Sequence, residues 1–221
     1  MIAVAYSAHF CGGRLPSASF YMWTRKVSTA KNAPMDRRSS AQYIALCGLI
    51  AALTAVGAYV RVPTWPVPFT LQTLFVLMGG DLLPVGYAVA AQVVYVAGGL
   101  AGFPLFAGGG GLAAIFHHTF GYLVAFPVAS AVASLIVRRG RGQSGAGPSW
   151  GRLVVANSCA GLLVLLVGAT YLYFNLKLVA AKAISPGTAL WSGAVLFVPG
   201  EALKVTVVSA VVRKVWYVLQ R

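Results

Sequence analysis

QYIALCGLIAALTAVGAYV, residues 42–60, is the stretch on which the fold turns. Only Gln42, Tyr43, Thr54 and Tyr59 carry polar groups in it. About 19 residues at 1.5 Å rise make roughly 28 Å of helix, the thickness of a bilayer's hydrocarbon core. The rest of the chain has the same character, being 59% hydrophobic and only 9% charged. Those proportions do not describe a soluble core wrapped in a charged surface, so the bilayer is the main solvent.

Lys and Arg number 17 against 3 acids. A basic balance of that size suggests nucleic acid, yet the cations avoid the apolar runs and collect in three short clusters. These are Arg14 to Arg38, Arg138 to Arg152, and Arg213 to Arg221. That is the distribution of topology signals, and it places all three clusters in the cytoplasm. A multi-pass protein of the cell membrane with both termini cytoplasmic is expected, with membrane lipid rather than nucleic acid as its surroundings. Residues 1–40 read as a basic, disordered tail or an over-extended start with Met35 as the initiator; an acid-poor, Arg/Ser-rich transit peptide is the other reading. Residues 41–221 form the membrane domain.

Beyond Val60, Arg61 to Pro68 (RVPTWPVP) has three prolines in six positions and must be an extended loop. Phe69 to Met78 is a short apolar helix that Gly79-Gly80-Asp81 and Pro84 interrupt, with Asp81 expected to cap the next helix. Leu83 to Leu100, Phe116 to Val137, Leu153 to Phe174 and Ala202 to Leu219 complete an all-α bundle of six transmembrane helices. Arg138 to Trp150 is a polar, Gly-rich hinge. With the N-terminus inside, three irregular loops rich in Pro, Gly and aromatic residues fall on the outer face: Arg61 to Pro68, Ala101 to Phe116, and about Asn175 to Gly200. A site closed by those loops follows, because irregular backbone at membrane depth is tolerated where it lines a cavity.

Glu201 and Lys204 are the sharpest chemical feature, an opposite pair at i and i+3 just after Pro199-Gly200. Intramembrane charges are costly unless paired or used. A helix N-terminus and a Lys together favour an anionic ligand group, while a mutually satisfied interfacial pair is the structural alternative. His117 and His118 are adjacent, so on a helix they diverge by about 100° and do not chelate one ion. No metal site and no cofactor are expected. Gly108 to Gly111 lacks the Lys-Ser/Thr of a phosphate loop, so any ATP hydrolysis belongs to a partner. Cys11, Cys47 and Cys159 show no ligand spacing. Small residues at Ala41/Ala45 and Ala51/Ala55 allow close helix approach, either within the bundle or against another subunit.

Three stretches resemble the BioY family, the biotin-specific capture subunits of energy-coupling-factor (ECF) importers. Val67-Pro68-Phe69-Thr70-Leu71-Gln72-Thr73-Leu74 is similar to that family's V-P-I-T-L-Q-T-L. Val94 to Gly108 resembles its Y-L-L-L-G-L-x-G-x-P-V-F-A-G, and Pro199-Gly200-Glu201-Ala202-Leu203-Lys204 its P-G-D-x-x-K, with Glu for the usual Asp. The family's P-T-G-G-Y stands altered as His118-Thr119-Phe120-Gly121-Tyr122. The resemblance runs from about Gln42 to the C-terminus and implies a six-helix S component that binds biotin at its outer face and performs no covalent chemistry. The resemblance also implies a transmembrane coupling subunit, which the first helix meets through Ala41, Ala45, Ala51 and Ala55, and two cytoplasmic ATPases. Gln72, Tyr95, Phe106, Thr119, Tyr122, Glu201 and Lys204 are the binding residues it implies. A capture subunit for another vitamin, a self-sufficient secondary biotin transporter and a membrane-embedded transferase are the alternatives. The transferase would need a metal–carboxylate cluster or nucleophile–base pair that three acids scarcely supply.

Overall fold

A computed structural model describes residues 39–64, 67–139, 147–179 and 185–219. The expectations for the basic tail before Ser39 and for most of the 138–150 hinge lie outside these residues. Ser39 caps the first helix, α1 (Ser40–Tyr59), with a reciprocal box: its hydroxyl accepts from the Gln42 backbone N–H, and the Gln42 side chain accepts from the Ser39 N–H. This pairing satisfies two of the backbone donors that a helix start leaves open. The proline-rich segment then folds back as a two-stranded hairpin, β1 (Arg61–Val62) antiparallel to β2 (Phe69–Thr70).

Helix α2 (Gln72–Leu82) follows, then α3 (Val85–Leu100), α4 (Phe120–Arg138), α5 (Trp150–Leu178), α6 (Pro186–Gly193) and α7 (Val198–Leu219). With α6 and α7 forming one near-continuous run, the described residues make six helical segments. Four of them (α1, α4, α5 and Pro186–Trp216) are long and apolar enough to cross a bilayer, and α3 is shorter. The protein is therefore an all-α, multi-pass membrane bundle. The shortest of these segments, α2, packs against α1, α4 and α7.

Two local expectations are corrected here. Gly79-Gly80-Asp81 does not interrupt α2, which runs through all three residues. A Cβ at Gly79 would sit 2.8 Å from Ile50 Cγ2, and one at Gly80 2.7 Å from the Ala133 Cβ. These glycines let α1 and α4 close onto α2, and the packing gained outweighs the roughly 1 kcal/mol per residue of helix propensity lost. Asp81 does not cap the next helix either. The N-cap position of α3 is Pro84, without a side-chain bond, while Asp81 is fully buried inside the bundle.

The small residues of α1 divide between two faces. Ala51 and Ala55 are buried in the main core, so they serve internal packing rather than docking. Ala41, Ala45, Gly48 and Ala52 are exposed along the opposite side, and a Cβ at Gly48 would meet nothing within 4 Å.

Candidate functional site

A cleft opens at one end of the bundle, lined by side chains from several helices and connecting segments. The three irregular segments converge on it, as loop-closed binding requires. Val67 to Thr70 forms one wall, Phe106 to Gly108 another, and Phe197 a third; α4 contributes Tyr122, Leu123 and Phe126, and α5 contributes Val164 and Leu165. Gln72 and Thr73 from the start of α2, with Glu201 and Lys204 from the start of α7, form a polar floor.

That floor is a closed charge arrangement. Lys204 and Glu201 are 4% and 8% exposed. Lys204 Nζ donates to Glu201 Oε1 at 2.6 Å and to Thr73 Oγ1 at 2.7 Å, while the Thr73 hydroxyl donates to the same Glu201 oxygen at 2.8 Å. The ammonium also lies 4.1 Å from the centroid of the Phe69 ring, a cation–π contact. An ammonium has three N–H donors, and two of them are taken by these oxygens. Glu201 sits in the first turn of α7, where the helix macrodipole favours a carboxylate. The anionic group expected from the ligand is thus already supplied by Glu201. What remains open is an acceptor, because Glu201 Oε2 is buried without a hydrogen-bond partner.

Helix α7 begins at Val198 and so includes Pro199, Gly200 and Glu201. Pro is tolerated there because first-turn N–H groups have no intrahelical acceptor. Gly200 is required by proximity: a Cβ on it would lie 2.4 Å from the Phe69 ring.

Six of the seven expected binding residues line the cleft: Gln72, Phe106, Thr119, Tyr122, Glu201 and Lys204. Tyr95 does not. It is buried behind the wall, its hydroxyl accepting from Gln72 Nε2 and donating to the Leu105 carbonyl at 3.2 Å, its ring edge-on to Phe106. It positions Gln72, whose Oε1 accepts from Thr70 at 2.9 Å. Phe106 is held by reciprocal backbone bonds with Gly109, and Tyr122 donates to the Gly193 carbonyl at 2.6 Å, tying α4 to the end of α6. Thr73 and Phe197 are among the lining residues not expected as binding groups. Thr73 stands inside the Val67–Leu74 motif, which is a signal for it; Phe197 has no signal in the sequence.

His117 and His118 lie in the turn before α4, and their rings stack with centroids 4.2 Å apart rather than diverging as on a helix. His117 Nδ1 is 2.7 Å from Thr119 Oγ1 at the rim of the cleft. Desolvation by the surrounding loop, then the neighbouring His118, hold its imidazole below the ordinary histidine range. The unfolded chain therefore binds more protons than the folded one as pH falls below that range, and stability must fall with it. A modest drop in thermal stability on acidification is expected, and His117→Asn should flatten it; an unchanged slope in the variant would assign the acid sensitivity elsewhere.

Residues 29–221 match the BioY family. A probable biotin transporter BioY of Lysinibacillus sphaericus is 36% identical over 143 residues, covering 65% of this chain and 70% of that protein. The biotin transporter BioY of Rhodobacter capsulatus is 32% identical over 185 residues, covering 78% of this chain and 92% of that protein. Among solved structures, the S-component for biotin from an ECF-type ABC transporter superposes with a TM-score of 0.69 at 23% identity, covering 80% of this chain and 94% of its own. That likeness shows a shared fold.

Proposed function

This chain belongs to the BioY family, and from that premise we propose that it takes up biotin as the high-affinity capture subunit of an ECF-type importer. The observation that carries the proposal is the unpartnered Oε2 of Glu201 at the floor of an aromatic-walled cleft. Biotin's ureido ring offers N–H donors to such an acceptor, and its carboxylate offers none. The ureido end therefore meets Glu201, and the fused rings and aliphatic tail lie against Phe69, Phe106, Tyr122 and Phe197. A Glu–Lys pair near charge balance gains little from a second carboxylate. The biotin carboxylate accordingly points toward the mouth, and converting it to an amide should weaken binding far less than altering the ureido ring does. Biotin is the cargo, and no prosthetic group or bond-making step enters this reading.

The basic clusters orient the bundle with both termini in the cytoplasm and the cleft outside. Transport then needs a transmembrane coupling subunit and two cytoplasmic ATPases, since the chain has no nucleotide-binding motif of its own. The exposed stripe Ala41, Ala45, Gly48 and Ala52 is the docking face that suits close helix approach. Gly48→Trp is expected to abolish co-purification with the coupling subunit and leave biotin affinity unchanged; retained assembly would move the docking face elsewhere.

Equilibrium binding of biotin to the purified, detergent-solubilised chain, with thiamine and riboflavin as controls, tests the central claim. Tight, selective biotin binding is expected. A folded chain that prefers another vitamin would overturn the assignment and direct attention to His118, Phe120 and Glu201, where the family pattern is altered.

A further inference from the structure

Below the cleft, a second buried polar group joins three helices. Asp81 of α2, Asn157 of α5 and Ser209 of α7 are all 0% exposed. Asn157 Nδ2 donates to Asp81 Oδ2 at 2.9 Å and to Ser209 Oγ at 3.4 Å, which uses both N–H bonds of the amide. The other two oxygens of the pair, Asp81 Oδ1 and Asn157 Oδ1, have no partner. Ser209 is eight residues beyond Glu201, so the group lies about 12 Å along α7 from the floor of the cleft.

Two buried acceptors left without a hydrogen on adjoining side chains are unfavourable for an ionised carboxylate, and an uncompensated charge at this depth is costly. One proton removes both difficulties. We propose that Asp81 is a proton-binding site of the membrane domain, taking one proton from water onto Oδ1 and donating it to Asn157 Oδ1. The two side chains then form a cyclic acid–amide pair with two hydrogen bonds and no net charge, and α2 is fastened to α5 and α7.

Among the described residues, no basic side chain forms an ion pair with Asp81, and the salt bridge of Lys204 goes to Glu201. On α7, Lys204 is engaged by Glu201, and Arg213 and Lys214 are exposed; on α4, Arg138 Nε donates to the Leu83 carbonyl and Ser134 Oγ. On α5, Arg152 lies five residues before Asn157, near the cap; α1 presents Tyr43 and Cys47, and α3 Tyr87. Helices α2 and α7 carry Asp81 and Ser209 of this group and also the Thr73–Glu201–Lys204 floor. Proton occupancy therefore acts on the elements that shape the cleft.

The sequence contains only three acids, Asp36, Asp81 and Glu201, which makes the proton directly observable. Infrared spectra of the full chain in lipid bilayers at neutral pH should show a carboxylic-acid carbonyl band. The band should persist in Glu201→Gln and vanish in Asp81→Asn. Asn at position 81 reproduces the donor and acceptor of the protonated acid, so its thermal stability should match the wild type, whereas Asp81→Ala, which strands Asn157, should be clearly lower. The proposal is overturned if the wild type shows no such band, if the band survives Asp81→Asn, or if Asp81→Asn is as destabilised as Asp81→Ala. It is also overturned if sodium or potassium, at constant ionic strength, stabilises the wild type but not Asp81→Asn, because the occupant is then a metal cation.

Discussion

Removing both charges of the buried pair together, as Glu201→Gln with Lys204→Met, is expected to leave a protein near wild-type thermal stability that has lost biotin binding by about a hundredfold or more. The stability half of this expectation follows from desolvation. Glu201 and Lys204 are almost fully buried, and replacing a buried ion pair by neutral groups of similar volume is often neutral or stabilising. Lys204→Met alone behaves differently, because it leaves the Glu201 carboxylate buried without its counter-charge and with the Thr73 hydroxyl as its remaining side-chain donor; a cost of about 3–5 kcal/mol is expected. The binding half follows from what the ligand sees. On the proposed reading, Gln at position 201 puts a neutral amide where ureido donors would meet a carboxylate oxygen, and charge-assisted bonds are roughly twice as strong as neutral ones. Titration of biotin against the single and double variants, alongside their melting temperatures, separates the two effects. A stable double variant that still binds biotin at wild-type affinity would remove the pair from the site.

Gly200→Ala is expected to weaken biotin binding on the order of tenfold while the bundle stays folded. The added Cβ would fall 2.4 Å from Phe69 Cε2 and Cζ, so the ring must move. Forcing an extra methyl into a packed site costs about 1–3 kcal/mol, and about 1.4 kcal/mol is a factor of ten in affinity. The cost lands on binding because Phe69 is both a wall of the cleft and the face beneath the Lys204 ammonium, and it stacks on Phe197 at 6.1 Å between centroids. Pairing Gly200→Ala with Phe69→Leu should restore thermal stability, since the smaller side chain clears the clash, but should not restore affinity. Unchanged biotin binding in Gly200→Ala alone would show that Phe69 is not part of the binding surface.

Much of this architecture is legible along the chain. Apolar runs of helical length, cations gathered between them and proline-rich or glycine-rich breaks are local properties, and they locate the six passes and the converging segments. Glu201 and Lys204 stand out because an acid inside an apolar helix is rare here and i, i+3 spacing places the two on one face. Two sequence signals mislead because their meaning depends on the neighbour. Gly79-Gly80 reads as a break in isolation, yet it is a contact surface once Ile50 and Ala133 approach. Ala51/Ala55 and Ala41/Ala45 have the same spacing, but only burial shows that the first pair faces the core and the second the outside.

By itself, then, the sequence determined the solvent, the number of apolar passes, the family resemblance and the charged pair, all of which depend on composition and short-range spacing. Tertiary structure alone decided that Thr73 joins that pair across more than a hundred residues, that Tyr95 stands behind Gln72 rather than in the cleft, and that Asp81 meets Asn157 and Ser209. Each of these depends on which faces of distant helices meet, and helix-to-helix rotation is set by the packing of the whole bundle, which no local stretch of chain encodes.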